Sequence, residues 1–213
     1  MLEKTIGLLK KLEKEYGYTV DEESAKLIYP MKEFKNERAD SDTAFLCELY
    51  PQLTDEKIED YSSGYQCFFP QELKVLYSYT NGCRLLNRFI SVAGLIAPDA
   101  PIMSRNGGRT PWSLMYVDTI CNAKRQKKYW GDGKLFFAQY KTEPQVYAFF
   151  DCNDPSLIKP VHISIAGEEE IIKSWPSFDD WFFEEAQLYL NRFFNNDYNI
   201  LDVCGLKFIS FDK

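Results

Sequence analysis

Apolar residues recur at Leu2, Ile6, Leu9, Leu12 and Tyr16, with charged residues between them. That spacing has the helical period, so residues 2–16 are expected to form an amphipathic helix ending near Gly17 and covering one edge of a core. Residues 21–50 are mixed; "NERADSDTAFLCELY" reads as a polar break followed by a short helix over Asp42–Tyr50. In "FFPQELKVLYSYTNG" the pattern sharpens: Leu73, Leu76, Tyr77 and Thr80 fall on one face at i, i+3, i+4 and i+7. Pro70 suits the first helical turn, and Asn81-Gly82 is the expected stop, because glycine takes the left-handed cap conformation at little cost.

The pattern then shortens. "RFISVAGLIAP" reads as a strand broken at Gly94, "SRNGGRTPW" as a loop, and "SLMYVDTICNAKRQKKYW" as a helix with a basic end. "KYW-GDG-KLFFAQY" suggests two strands about a Gly-Asp-Gly turn, followed by strands in "QVYAFFDC" and "KPVHISIA". In the last of these Val161, Ile163 and Ile165 alternate with His162 and Ser164. A final helix opens at Ser177, a good N-cap with Asp180 in the capping-box position, and its expected buried stripe is Phe178, Trp181, Phe182, Leu188 and Tyr189. The tail "ILDVCGLKFISFDK" has room for one or two short strands. Helices first, strands in the middle and a helix last imply an α+β fold with a single mixed or antiparallel sheet packed by helices.

Four blocks of this sequence together resemble the SUKH superfamily. "FPQELKVLYSYTNGCRL" is similar to its opening, a Pro step, a helix and an Asn-Gly cap; "AGLIAP" to its Gly-Leu step; "FFAQY…VYAFFD" to its paired strands; and "IIKSWPSFDDWF" to its closing Ser-Phe-x-x-Trp helix. The resemblance spans roughly residues 53–190. It implies a SUKH-like domain over 53–195, an N-terminal helical extension over 1–52 packed on it, and a C-terminal extension over 196–213. It also implies a protein-binding role. The superfamily includes bacterial immunity proteins that neutralise polymorphic toxins, a fungal regulator of cell-wall synthesis and a bacterial protein that contacts the secretion channel. These share a fold and no catalytic residue set. The segment 98–130 is an insertion relative to the compact family pattern.

Composition adds limits. The 213 residues are 45% hydrophobic and 27% charged, ordinary for a globular domain long enough to bury a core without staples. Fourteen Tyr and sixteen Phe suit either a sheet-rich aromatic core or a recognition surface. A net charge of −7 argues against a general nucleic-acid coat protein. The six Cys, at 47, 67, 83, 121, 152 and 204, contain no CxxC pair. With no signal peptide evident in "MLEKTIGLLKKLEKEYG", free thiols in a reducing cytoplasm are expected. No run approaches the length and apolarity of a membrane span.

The search for chemistry finds little. His162 is the only histidine, so any His-dependent nucleophile would have to use it, and no metal is expected. Neither phosphate-loop pattern occurs, and "NGG" at 106–108 and "GDG" at 131–133 read as turns. No cofactor and no catalysis are therefore expected. Charge is uneven instead. Residues 168–185 hold Glu168, Glu169, Glu170, Asp179, Asp180, Glu184 and Glu185 against Lys173 alone, a local net of −6. The three consecutive glutamates are expected in a hairpin turn. Residues 105–128 hold Arg105, Arg109, Lys124, Arg125, Lys127 and Lys128 against Asp118, a local net of +5, with Tyr129 and Trp130 adjoining. That basic run fits single-stranded nucleic acid, an internal partner for the acids, or an exposed helix end. The acidic stretch fits a solvated face or a surface for a basic protein partner, such as a nuclease-type toxin domain. The leading expectation is an immunity protein that occludes such a toxin; the other is a regulatory or scaffold protein of the same fold with another client.

Overall fold

The structure, a computed structural model, describes residues 1–20, 24–28, 45–63, 69–86, 89–95, 133–166, 168–195, 202–203 and 206–207. The first apolar stripe forms helix α1 (Glu3–Tyr16), which buries Leu8, Leu9 and Leu12 and ends at Gly17, where φ is +67°. Strands β1 (Thr19–Val20), β2 (Lys26–Ile28) and β3 (Cys47–Leu49) follow. The third corrects the sequence reading, which gave a short helix over Asp42–Tyr50. Residues 45–50 are all buried. A strand buried on both faces loses the alternation that marks it, and its apolar run then looks helical.

Helix α2 (Asp55–Ser62) is capped by Thr54, whose hydroxyl accepts the Lys57 N–H. Helix α3 (Gln71–Tyr79) starts after Pro70 and buries Leu73, Leu76 and Tyr77 as their spacing predicts. Its stop differs in detail. Thr80 already leaves the helix with extended backbone, and Gly82 takes a φ of +83° two residues later. The Thr80 hydroxyl donates to the Tyr50 and Gly82 carbonyls, tying the helix end to β3.

Strands β4 (Cys83–Leu85), β5 (Ile90–Val92), β6 (Lys134–Tyr140), β7 (Val146–Asp151), β8 (Val161–Ile165) and β9 (Lys173–Trp175) complete one antiparallel sheet in the order β1 to β9. Helix α4 (Phe178–Phe194) closes it, and β10 (Asp202–Val203) pairs with β11 (Leu206–Lys207) as a separate ribbon. Consecutive strands lie side by side, as the α+β expectation requires. The first arm of the anticipated Gly-Asp-Gly hairpin, the segment 98–130, and Cys67, Cys121 and Cys204 lie outside the described residues. Cys47 and Cys83 are buried thiols, and burial pushes both well up from the usual thiol range.

One face of the sheet receives α4. Phe137 sits at an irregularity in the β6–β7 register and meets Trp181 edge-on at 5.1 Å. Phe178, Trp181, Phe182 and Tyr189 are buried as expected, but Leu188 is 40% exposed. Its place on the stripe is held by Glu185, which lies four residues from Trp181 and four from Tyr189 and is 4% exposed. The opposite face carries a row of polar residues in register, Glu48, Arg84, Ser91, Gln139, Tyr147 and Ser164, across six strands. Arg84 donates to Glu48 at 3.2 Å. Ser164, on this face as alternation requires, is buried.

Candidate functional site

The seven acids of 168–185 separate into three environments. Glu168, Glu169 and Glu170 are exposed on the turn between β8 and β9. The turn is rooted by Ala166 N–H on the Gln145 carbonyl at 2.7 Å and Glu168 N–H on the Ile165 carbonyl at 3.0 Å. Glu184 is exposed on α4, and its carboxylate accepts the Trp175 indole N–H at 2.9 Å. It therefore flanks β9 from the helix side.

The second environment is the junction of α1, α3 and α4. Asp179 accepts the Lys4 and Thr5 N–H groups at 3.2 and 2.8 Å, so it caps α1 from a different helix. The Ser177 hydroxyl accepts the Asp180 N–H at 3.0 Å, the expected N-cap, while Asp180 pairs with Lys4 at 2.5 Å. The Lys4 and Ser177 hydrogen bonds hold the Asp180 carboxyl below its usual range. Glu72 of α3 reaches the same place and accepts the Phe178 N–H at 3.1 Å; its other oxygen has no hydrogen-bond partner. Burial raises its pKa from 4.5 to about 7 against the pull of the Phe178 N–H.

The third environment is the core. Glu185 accepts the Tyr140 hydroxyl at 3.0 Å, and that hydroxyl in turn accepts the Trp181 indole N–H at 2.8 Å. Lys173 reaches the other Glu185 oxygen at 3.4 Å. Burial raises both the Glu185 carboxyl and, much further, the Tyr140 phenol. Asp179, Asp180 and Glu185 thus hold the fold together, while Glu168, Glu169, Glu170 and Glu184 face solvent around β9.

The blocks that resembled a family also acquire physical reasons. The Asn81 side chain pairs with the Leu95 backbone in both directions, donating at 2.8 Å and accepting at 2.7 Å. The Asn81 carbonyl lies where a side chain at Gly94 would stand, so Gly94 must lack one. Trp181 joins the closing helix to β6 through Tyr140. Residues 52–184 match the SMI1 / KNR4 family (SUKH-1).

The chain belongs to that family.

No curated protein and no solved structure matches it. The SUKH-1 match begins after β3 and ends inside α4, so α1 and β1–β3 precede it, and β1–β3 share its sheet.

His162, the sole histidine, lies on β8 with Nδ1 2.7 Å from the Ser174 hydroxyl. Burial lowers its pKa, opposed by Asp151 and Asp154. Among the described residues, no group of three or more His, Cys, Asp or Glu is placed to hold a metal ion, and no helix is long and apolar enough to cross a membrane. Three residues of this SUKH-1 unit escaped the sequence reading as more than pattern: Glu72, Tyr140 and Asn81. Asn81 carried a signal in its motif. Glu72 stood on a helix whose apolar face already explained the pattern, and nothing in spacing reveals a buried carboxyl.

Proposed function

We propose that this protein is a bacterial, cytoplasmic immunity protein that binds a basic toxin domain, nuclease-type, and blocks it by covering its active surface without catalysis of its own. The reading is supported by SUKH-1 membership. The observation that carries its electrostatic part is the β8–β9 turn, which holds Glu168, Glu169 and Glu170 in solvent at one end of β9, with exposed Glu184 at the other. Nucleases bear positive potential to hold phosphate, so an acidic surface complements them. Asp179, Asp180 and Glu185 are engaged within the fold, so the exposed glutamates carry the surface charge. Charge of this kind chiefly raises the association rate and fades with salt, the Debye length being about 8 Å at physiological ionic strength.

The test is capture of the product of the adjacent gene, followed by association kinetics at two ionic strengths. Changing Glu168, Glu169 and Glu170 together to Gln should slow association and flatten its salt dependence. A triple variant that associates as fast as wild type at both ionic strengths would make the turn a solvated face only.

A further inference from the structure

We propose that β9 is an open sheet edge to which an extended, basic segment of the partner adds as a further strand. This rests on the basic-partner reading above and specifies how that partner docks. Among the described residues, strand β9 pairs with β8 on one side and ends the sheet. Ile172 N–H bonds the Ile163 carbonyl, while Lys173 is the register partner of the same Ile163. Two residues opposite one is the pattern of a β-bulge. From there the pairing alternates. Lys173 opposite Ile163 and Trp175 opposite Val161 bond to β8, which leaves the Ser174 N–H and carbonyl pointing to the open edge. The close His162–Ser174 side-chain contact agrees, because side chains approach most closely in non-hydrogen-bonded pairs. Lys173 and Ser174 are both exposed.

Charge selects the occupant. Glu168, Glu169 and Glu170 lie just before the strand, and Glu184 stands beside Trp175 at its far end. Lys173, the one cation of residues 168–175, is folded back over the Trp175 ring at 4.1 Å and toward Glu185. A second copy of β9 would bring acid against acid in either orientation, so self-pairing is disfavoured and a basic strand is favoured. The main chain would supply the hydrogen bonds and the flanking carboxylates the selectivity. The short, bulged strand leaves room for one such segment and guards against indiscriminate addition.

The experiment uses the full chain and a short capped peptide of alternating lysine and threonine, with an aspartate–threonine peptide as control. Binding is read by anisotropy, and Ser174 amide exchange by NMR. The lysine peptide should bind, the aspartate peptide should not, and the Ser174 amide should gain protection. Ser174→Pro removes one outward donor at an edge position that tolerates proline, and should weaken binding about tenfold. If Ser174→Pro binds as wild type does, or the wild-type Ser174 amide gains no protection at saturation, strand addition is overturned. The acidic-surface reading then still stands if the Glu168, Glu169 and Glu170 triple Gln variant binds more weakly. If the aspartate peptide binds as well as the lysine peptide, or neither binds, both readings fall. Amide exchange in the unaltered protein decides the matter even if the proline variant does not fold.

Discussion

The two connections that flank β8 are built in opposite ways. The one before it, residues 152–160, is heavily bonded. Asp151 accepts the Asn153 N–H at 2.8 Å and Asp154 the Ser156 N–H at 2.7 Å, two side-chain turns in succession. Lys159 is buried beneath and donates to the Asp154 carbonyl. On this frame Leu157 and Ile158 face solvent, Leu157 at 73% exposure. The connection after β8 shows few internal bonds among the described residues and carries three carboxylates. An apolar side chain contributes to binding only when held where it can be buried, whereas a charge acts across several ångströms without a fixed rotamer. The frame around each set of side chains suits how that set would act.

The comparison can be broken first from below. Both connections sit on a sheet whose core includes Trp181, fully buried against Phe137 and bonded to Tyr140. Trp181→Ala should cost about 3–5 kcal/mol in urea denaturation. Amide protection should fall around both connections together; loss around one alone would mean that they rest on separate cores.

The next effect separates the helix junction from either connection by pH. The Glu72 carboxyl is raised, so the folded state holds its proton more tightly than the unfolded chain does. The stability contributed by protonated Glu72 is therefore fully present below about pH 4.5 and is lost as pH rises through about 7, by on the order of 3 kcal/mol in all. Glu185 shifts in the same direction and Asp180 in the opposite one, so the measurement is the difference between wild type and Glu72→Gln. The Gln variant should show a flatter stability–pH curve over that window and be the more stable protein at pH 8. An unchanged slope would place the pH dependence elsewhere.

The smallest effects sharpen the comparison itself. Lys159→Ala removes a buried donor and should cost about 2 kcal/mol in thermal or urea unfolding. Neutralising Glu168, Glu169 and Glu170 should change stability by less than about 0.5 kcal/mol each. Equal costs for the two variants would erase the distinction between a bonded frame and a light one.

The sequence was legible where one face of an element met water. Helix α3 showed its buried positions because Lys74 and Ser78 interrupt them, and Ser177 announced α4 because a cap is a local event. Legibility failed where burial was complete. Residues 45–50 have no exposed side to mark them as a strand, and Glu48 alone interrupts their apolar run. Apolarity alone assigns Leu188 to the α4 stripe, although the register set by Trp181 and Tyr189 reserves that face for Glu185. The acidic stretch was visible as charge. Its division among turn, helix junction and core was not, because Asp179 finds its donors at Lys4 and Thr5 and Glu185 finds Tyr140, far away in the chain.

That long-range cap sets an order of events in synthesis. The N–H of Thr5 is satisfied by a carboxylate 174 positions later. As the chain leaves the ribosome, α1 emerges well ahead of Asp179 and cannot take its final seat until that residue has followed. Until then its apolar face has no completed dock, and the nascent chain must wait in a less protected state. Closing so distant a contact is entropically slow. Helix α1 is thus locked in only after all nine strands of its sheet have been translated.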